Sequence, residues 1–391
     1  MVRTERVVAL DVIRGVAILG TLGTNIWIFT DPQGAAGFLT LPEPDSFAGA
    51  VETFLRFTTN GKFLALLSIL FGIGLELQYR AARRRGERWP GWYLWRSALL
   101  LVEGLLHYVL IFEFDVLMYY AVVSVLVAFL VGRSDRVVRV WIAVQAALHV
   151  TIIGLLTTGL LISGDSLTGG SGSSTGTDSW PAQVSDRLTG MALYRSEALF
   201  VIPLSTVLFL AGSRLWRAGA LENSARGLGI QRRLMAVGLG VGVPLNLLTS
   251  FAGPEWFLLD RYLAAPLVAF GLLGLVPWLL HRMHAESGPL RRGLTAVGRT
   301  ALSSYVLQNL LAGILCYGWG FGLAAALDDA RPWWVPGLFV ALCGLLMVLA
   351  TVWLRRFSRG PLELVWHRAY LAPQRTGAAH EPGGDRADMP R

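Results

Sequence analysis

The chain has 391 residues, of which 54% are hydrophobic and 15% charged. A soluble domain of this size carries more surface charge, so the composition excludes an ordinary soluble protein and predicts a polytopic membrane protein. The net charge of +8 does not indicate nucleic-acid binding, because the arginines are spread between apolar segments and do not gather on one domain.

Ten apolar segments approach or reach the length of about 20 residues that a helix needs to cross the hydrocarbon. They cover residues 8–29, 60–80, 92–112, 114–132, 138–162, 191–212, 233–251, 257–280, 299–319 and 334–354. The sequence therefore predicts an all-α bundle of about ten transmembrane helices. Residues 1–371 form one integral-membrane domain in this interpretation, with a Gly/Ser-rich outer loop at 163–190 and a disordered cytoplasmic tail at 372–391.

The loops that connect the predicted spans alternate between arginine-rich and acidic. Loops on one side of the membrane hold almost all of the arginines, whereas loops on the other side hold mainly acidic residues. Cytoplasmic loops carry the excess of arginine and lysine, so both termini are predicted to face the cytoplasm.

The first predicted span contains three polar residues, Asp11, Arg14 and Asn25. Asp11 and Arg14 lie on one helix face near the inner boundary, where they form either a local ion pair that anchors the helix or part of a pocket for an anionic substrate or phosphate. Asn25 lies roughly 16 Å further across at 1.5 Å per residue. It either bridges two helices or contacts a substrate.

The third predicted span carries Glu103 and His107 on one face, with Arg96 on nearly the same stripe. A carboxylate that orients an imidazole prepares a general base, so His107 assisted by Glu103 is the catalytic hypothesis. The alternative is a buried polar cluster that fixes helix packing. His107 and Asn25 are predicted at a similar depth, which suggests one polar cavity that opens outward.

The ninth predicted span is also polar, and a span of this kind faces protein or a water-filled cavity. Its substrate-binding candidates are Ser304, Tyr305, Gln308 and Asn309. Both cysteines fall inside apolar segments, and no cluster of ligands supports a metal site, so none is predicted.

Several segments together resemble a known family. ERVVALDVIRGVAILGTLGTN, GKFLALLSILFGIGL, VGRTALSSYVLQNLL with YGWGFGL, and SRGPLELVWHRAY occur in that order between about residue 5 and residue 371. They resemble the YeiB-like family of bacterial inner-membrane proteins, a domain of unknown function. The resemblance implies a bacterial cytoplasmic membrane protein.

The YeiB-like family is in turn similar, in its first span, to membrane acyltransferases such as the heparan-glucosaminide acetyltransferase and bacterial enzymes that acylate surface sugars. That similarity implies an acyl-CoA co-substrate from the cytoplasm and no bound cofactor. It also implies substrate-binding roles for Arg14 and Asn25. Many of the sugar acyltransferases carry histidine where this chain has Asn25. Asparagine cannot take a proton as a general base, so His107 is the candidate for that role.

The expected function is transfer of an acyl group to a cell-envelope lipid or glycan. Arg14 and other inner arginines would hold the donor's phosphates, Asn25 would position a reactant, and His107 would remove the acceptor proton. A small-solute transporter or channel is the alternative, in which the same polar residues line a path. A scaffold without chemistry is the third hypothesis. Membrane lipids are expected partners and nucleic acids are not.

Overall fold

The computed structural model describes residues 2–39, 41–42, 44–163, 177–283 and 288–378. These residues are 81% helical and contain no strand. Residues 164–176 of the predicted outer loop and residues 379–391 of the predicted tail lie outside the described residues.

The described residues up to Ala218 contain ten α-helices. They are α1 (Val2–Phe29), α2 (Ala35–Leu39), α3 (Phe47–Thr59), α4 (Lys62–Arg84), α5 (Trp92–Leu110), α6 (Leu117–Leu130), α7 (Asp135–Ser163), α8 (Trp180–Thr189), α9 (Met191–Tyr194) and α10 (Ala198–Ala218).

The second half continues with nine more. They are α11 (Ala225–Val237), α12 (Val243–Ser250), α13 (Phe257–Leu259), α14 (Ala265–Arg282), α15 (Pro289–Arg299), α16 (Ala301–Cys316), α17 (Leu323–Ala326), α18 (Val335–Trp353) and α19 (Pro361–Ala378). π-helical turns at Gly238–Gly242 and Asp260–Ala264 join α11 to α12 and α13 to α14.

Among the described residues, seven helical segments are long and apolar enough to cross a membrane: Val8–Phe29, Phe47–Arg84, Asp135–Ser163, Met191–Ala218, Ala225–Ser250, Pro254–Arg282 and Val335–Trp353. Helices α6 and α16 are shorter apolar helices, and α5 carries Arg96, Glu103 and His107 within its 19 residues. The predicted all-helical membrane fold is confirmed, and its count of about ten spans is approximate.

Helix α1 lies at the centre of the bundle. In its most apolar stretch 83% of the residues are buried, against 17% in the corresponding stretch of α7. The polar side chains of α1 are therefore enclosed by protein, whereas α7 presents most of its surface to the surroundings.

Helix α15 was predicted as part of an inner loop, and it packs directly along α1. A Cβ atom on Gly15 would lie 2.0 Å from the carbonyl oxygen of Leu294, and one on Gly298 would lie 1.8 Å from that of Asp11. Small residues allow two helix backbones to approach this closely. The contact places Arg299, at the end of α15, beside the first turns of α1.

Two further helices lie in regions that the sequence predicts as a loop and a tail. The loop at 163–190 contains α8, whose first turn is capped by Ser179, because the Ser179 hydroxyl accepts a hydrogen bond from the amide of Ala182. Helix α19 continues to Ala378, past the predicted boundary at residue 371.

Candidate functional site

A chain of buried hydrogen bonds joins α1, α16 and α5. The Nδ2 group of Asn25 donates to Oδ1 of Asn309 over 3.0 Å. The Nδ2 group of Asn309 donates to Nε2 of His107 over 3.2 Å. The structure thus brings together Asn25 and His107, which the sequence placed only at a similar depth, through Asn309.

The other nitrogen of His107 faces a carboxylate. Nδ1 lies 2.9 Å from Oδ1 of Asp115, and the two side chains are 1% and 0% exposed. Asp115 also accepts hydrogen bonds from the amide of Met118 over 3.2 Å and from the hydroxyl of Tyr305 over 3.4 Å. With Nδ1–H directed at the carboxylate, Nε2 is the nitrogen that accepts protons.

The carboxylate beside His107 differs from the one that the sequence predicted. Glu103 shares the helical stripe of His107, but its Oε2 atom is buried without a hydrogen-bond partner among the described residues. The turn between α5 and α6 brings Asp115 to Nδ1 instead. Asp115 lies two residues before α6 and accepts a hydrogen bond from the Met118 amide in the first turn of that helix, so the carboxylate that satisfies this N–H also orients the imidazole.

Arg195 holds this turn from a separate part of the chain. Its Nη1 donates to the carbonyl oxygen of Asp115 over 2.9 Å, and its Nη2 donates to that of Glu113. The guanidinium lies 4.1 Å from the ring centroid of Tyr108. No sequence pattern indicates this contact, because Arg195 lies 80 residues beyond Asp115.

The remaining candidates on α16 divide into two kinds. Tyr305 packs on the imidazole, with ring centroids 5.0 Å apart. Gln308 donates to the hydroxyl of Thr21 over 3.1 Å and so ties α16 to α1. Ser304 contacts the hydroxyl of Thr300 in its own helix over 3.1 Å. Tyr305 and Asn309 therefore belong to the His107 network, whereas Gln308 and Ser304 have packing contacts.

A cavity of about 680 Å³ lies on the side of the bundle that carries the arginine-rich loops. We call it the arginine cavity, because Arg14, Arg96, Arg299 and Arg359 line it. Its apolar walls include Ile18, Leu67, Leu70, Phe71, Leu100 and Leu117. The predicted cavity opened outward, whereas this one lies on the predicted cytoplasmic side.

Asp11 and Arg14 form the ion pair that their spacing predicted, with Nη1 and Oδ1 3.4 Å apart. Arg14 also lines the arginine cavity, so the two interpretations of this residue are compatible. Arg96 lies with its guanidinium 4.7 Å from the ring centroid of Trp366 in α19. Glu103 lines the same cavity further along α5.

One aromatic residue separates the arginine cavity from the His107–Asp115 pair. Tyr305 lines the cavity, and its hydroxyl and ring contact Asp115 and His107 respectively. Tyr305 therefore lies between the cavity and the buried pair.

A smaller pocket of about 50 Å³ lies on the opposite side of the pair. We call it the polar pocket; its lining includes Glu113, Gln183, Asp186, Arg187, Tyr194 and Tyr317. Three aromatic rings lie one after another between the polar pocket and His107. Their centroid distances are 5.4 Å from Tyr317 to Phe29, 5.1 Å from Phe29 to Phe112 and 6.4 Å from Phe112 to the His107 ring.

A second buried carboxylate, Asp260, lies in the π-helical turn before α14. It accepts hydrogen bonds from the amide of Asn60 over 3.0 Å and from the hydroxyls of Thr249 and Ser250 over 2.9 Å and 2.7 Å. The side-chain amide of Asn246 is a fourth donor. Fixed donors therefore surround this carboxylate.

No group of three or more histidine, cysteine, aspartate or glutamate side chains in the described part of the chain could hold a metal ion. The side chains at the site supply an imidazole, a carboxylate, amides, phenols and guanidinium groups.

Comparison with known proteins shows what this chain is similar to. Residues 215–372 match the family model described as protein of unknown function (DUF418). The chain is 28% identical to the uncharacterized protein YxaH of Bacillus subtilis, over 95% of this chain and 96% of the relative. It is 29% identical to the uncharacterized protein YeiB of Escherichia coli, over 94% of this chain and 97% of the relative.

The YeiB-like resemblance is confirmed. The DUF418 match covers α16 and α19, which supply Tyr305, Asn309 and one wall of the arginine cavity. The His107–Asp115 pair lies outside that match and inside the longer alignments with the YeiB-like relatives. No solved structure matches the chain.

Proposed function

We propose that this protein is a membrane acyltransferase that moves an acyl group from a cytoplasmic acyl-CoA-type donor to a hydroxyl or amine of a cell-envelope lipid or glycan. The observation that supports this most is the position of the His107–Asp115 pair between two spaces of different character. The positive-inside tendency assigns the arginine cavity to the cytoplasm and the polar pocket to the outer side. Both termini then lie in the cytoplasm, and the membrane is the bacterial cytoplasmic membrane.

The arginine cavity suits an anionic donor with an apolar arm. Four arginines line it against two carboxylates, Glu103 and Glu363, so positive charge is in excess. Guanidinium groups bind phosphates in a forked geometry. The apolar walls would accept the acyl group and the arm that carries it, which places the thioester on the cavity side of Tyr305.

The His107–Asp115 pair has the geometry of a general base with its orienting carboxylate. Nε2 of His107 would remove the proton from the acceptor hydroxyl or amine as that atom attacks the thioester carbonyl carbon. Asp115 would stabilise the imidazolium that forms. The carbon–sulfur bond then breaks, and the thiolate takes the proton from His107 and leaves as free CoA.

Two contacts must change before transfer. Asn309 now donates to Nε2 of His107, so the acceptor would have to replace it there. Tyr305 must turn to admit the thioester. Asn25 supports Asn309 in the resting state and, once Asn309 is displaced, its amide is available to position a reactant.

A small-solute transporter is the second candidate, and one observation favours it. The polar centre is closed toward the arginine cavity by Tyr305 and toward the polar pocket by Phe112, Phe29 and Tyr317. Closure on both sides is also expected of an occluded transport site. The surplus of arginine and the orienting carboxylate on His107 favour acyl transfer.

The test uses purified protein with radiolabelled acetyl-CoA and an envelope extract. We expect release of free CoA together with labelled lipid or glycan, loss of both with His107→Ala, and retention of both with His281→Ala at the end of α14. Absence of turnover, with unchanged envelope acylation in a deletion strain, would contradict the proposal. A change in solute flux without any acyl product would instead support the transporter.

A further inference from the structure

The segment SRGPLELVWHRAY, residues 358–370, takes no part in the proton transfer described above. It forms a turn and the first part of α19, and it runs along the arginine cavity. Arg359, Glu363, Trp366, His367 and Tyr370 of this segment line the cavity. A helix that follows the last membrane span thus supplies one wall of the proposed donor site.

Glu363 fastens α19 to the start of α16. Its Oε1 atom accepts hydrogen bonds from the amides of Leu302 over 2.9 Å and Ser303 over 3.3 Å, and its Oε2 atom accepts one from the hydroxyl of Ser303. The Ser303 oxygen accepts in return from the amide of Leu362 over 3.0 Å. The first turns of two helices therefore satisfy each other's free N–H groups.

The rest of α19 is held weakly. None of its side chains between residues 361 and 372 is fully buried, and Val365 is 64% exposed. Its contacts with α5 include the stacking of Arg96 on Trp366 and a hydrogen bond of 3.3 Å from Trp95 to the carbonyl oxygen of Ala369. Because the first turn of α19 meets α16 through Glu363, we expect the contacts of Glu363 to contribute strongly to the position of this helix.

Gly360 is what permits the close contact. A Cβ atom at this position would lie 2.1 Å from Oε2 of Glu363 and 2.7 Å from Oγ of Ser303. Any larger residue would therefore push the carboxylate away from the α16 terminus. Substitution of Gly360 is therefore a second, independent way to break the junction, by which we mean the contact of Glu363 with Ser303 at the start of α16, without removing a charge.

We propose that Glu363 is a positioning residue for the donor, which holds α19 across the arginine cavity so that Arg359, Trp366 and Tyr370 form part of the binding wall. The identity of the ligand rests on the proposed function. The fastening itself rests only on the contacts of Glu363, Ser303 and Gly360. Loss of the junction weakens donor binding and leaves the His107–Asp115 pair intact.

The first experiment is calorimetric titration of the full-length protein with CoA. We expect Glu363→Gln and Gly360→Ala each to raise the Kd about tenfold, because hydrogen bonds to a charged group are lost. Glu87→Gln is the matched acid control, since Glu87 is exposed in the loop before α5. Gly337→Ala is the matched glycine control, since a Cβ there meets no atom within 4 Å. In turnover, the KM for the donor should rise while kcat is retained.

A second measurement separates failure of this inference from failure of the proposed function. Arg368 is an exposed trypsin site in the middle of α19, and the peptide ending there can be quantified by mass spectrometry. Glu363→Gln and Gly360→Ala should speed this cleavage several-fold, whereas Glu87→Gln and Gly337→Ala should not.

Three outcomes decide the matter. CoA binding with unchanged Kd in Glu363→Gln overturns the positioning role, whatever the cleavage rate. A raised Kd with faster cleavage supports it. If the wild-type protein binds no CoA, the proposed donor is wrong, and the cleavage rate alone tests whether Glu363 holds α19 against α16. Faster cleavage in both variants supports that role, and an unchanged rate contradicts it.

Discussion

Asp115 and Asp260 are both buried carboxylates within the helix bundle, yet their neighbours differ. Asp260 is surrounded by amide and hydroxyl donors, from Asn60, Asn246, Thr249 and Ser250. Asp115 has an imidazole as its nearest side-chain partner, and Tyr305, another of its partners, lines the arginine cavity.

The difference shows how burial alone fails to identify a reactive group. Amides and alcohols neither gain nor lose a proton near neutral pH, so the four groups that donate to Asp260 fix helices in place, and the charge of Lys62 acts on the same carboxylate. An imidazole can accept and return a proton in the same pH range. We therefore expect substitutions at Asp115 and His107 to affect turnover, and substitutions at Asp260 to affect stability.

The largest expected effect is on turnover in His107→Ala. Removal of the proposed general base should lower kcat about 10³-fold, within the range that general bases contribute. The measurement is release of free CoA from acetyl-CoA in the presence of envelope extract, with CoA binding measured in parallel. Donor affinity should be retained. A kcat within threefold of wild type would remove His107 from the mechanism.

The next largest effect is on the stability of Asp260→Ala. Four buried donors would lose their acceptor, which should cost about 3 kcal/mol in the free energy of unfolding and lower the melting temperature in detergent. Asp135→Ala is the control, because Asp135 pairs with Arg214 at an exposed site. That variant should change stability by less than about 1 kcal/mol. Equal melting temperatures for the two variants would contradict a structural role for Asp260.

A smaller effect is expected from Arg14→Gln. Loss of one guanidinium from the arginine cavity should raise the KM for acyl-CoA about tenfold with little change in kcat, since phosphate binding is remote from the bond that breaks. Arg292→Gln is the control, because Arg292 is exposed in α15 and does not line the cavity. If both variants raise KM equally, general surface charge and not the cavity attracts the donor.

The smallest effect, that of Glu103→Gln, belongs to a comparison of the two carboxylates near His107. Asp115→Asn should lower kcat about 10²-fold or more, because an amide at Nδ1 favours the wrong tautomer. Glu103→Gln preserves size and touches neither ring nitrogen, so kcat should change by less than about threefold. The opposite order of the two variants would restore Glu103 as the orienting residue that the sequence predicted.

The sequence predicted those features that depend on periodicity within one helix. Hydropathy located the apolar segments, and a rise of about 1.5 Å per residue was sufficient to place Asn25 and His107 at a common depth. The ion pair of Asp11 and Arg14 followed from their spacing. These inferences needed no knowledge of which helices are neighbours.

The missed features depend on turns and on contacts between distant segments. Asp115 reaches His107 because the chain reverses after α5, and no helical spacing encodes that reversal. Arg195 approaches the same turn from a helical segment that follows α8. Helix α15 looked like a loop because it is short and basic, whereas Gly15 and Gly298 allow it to pack against α1.

The aromatic residues on both sides of His107 also have a consequence for bioenergetics. A water-filled passage that linked the two aqueous phases through a titratable imidazole would let protons leak down their electrochemical gradient. Tyr305 on one side and Phe112, Phe29 and Tyr317 on the other interrupt such a passage at two levels. If only one level opens at a time, a base can serve reactants from both phases without discharging the membrane.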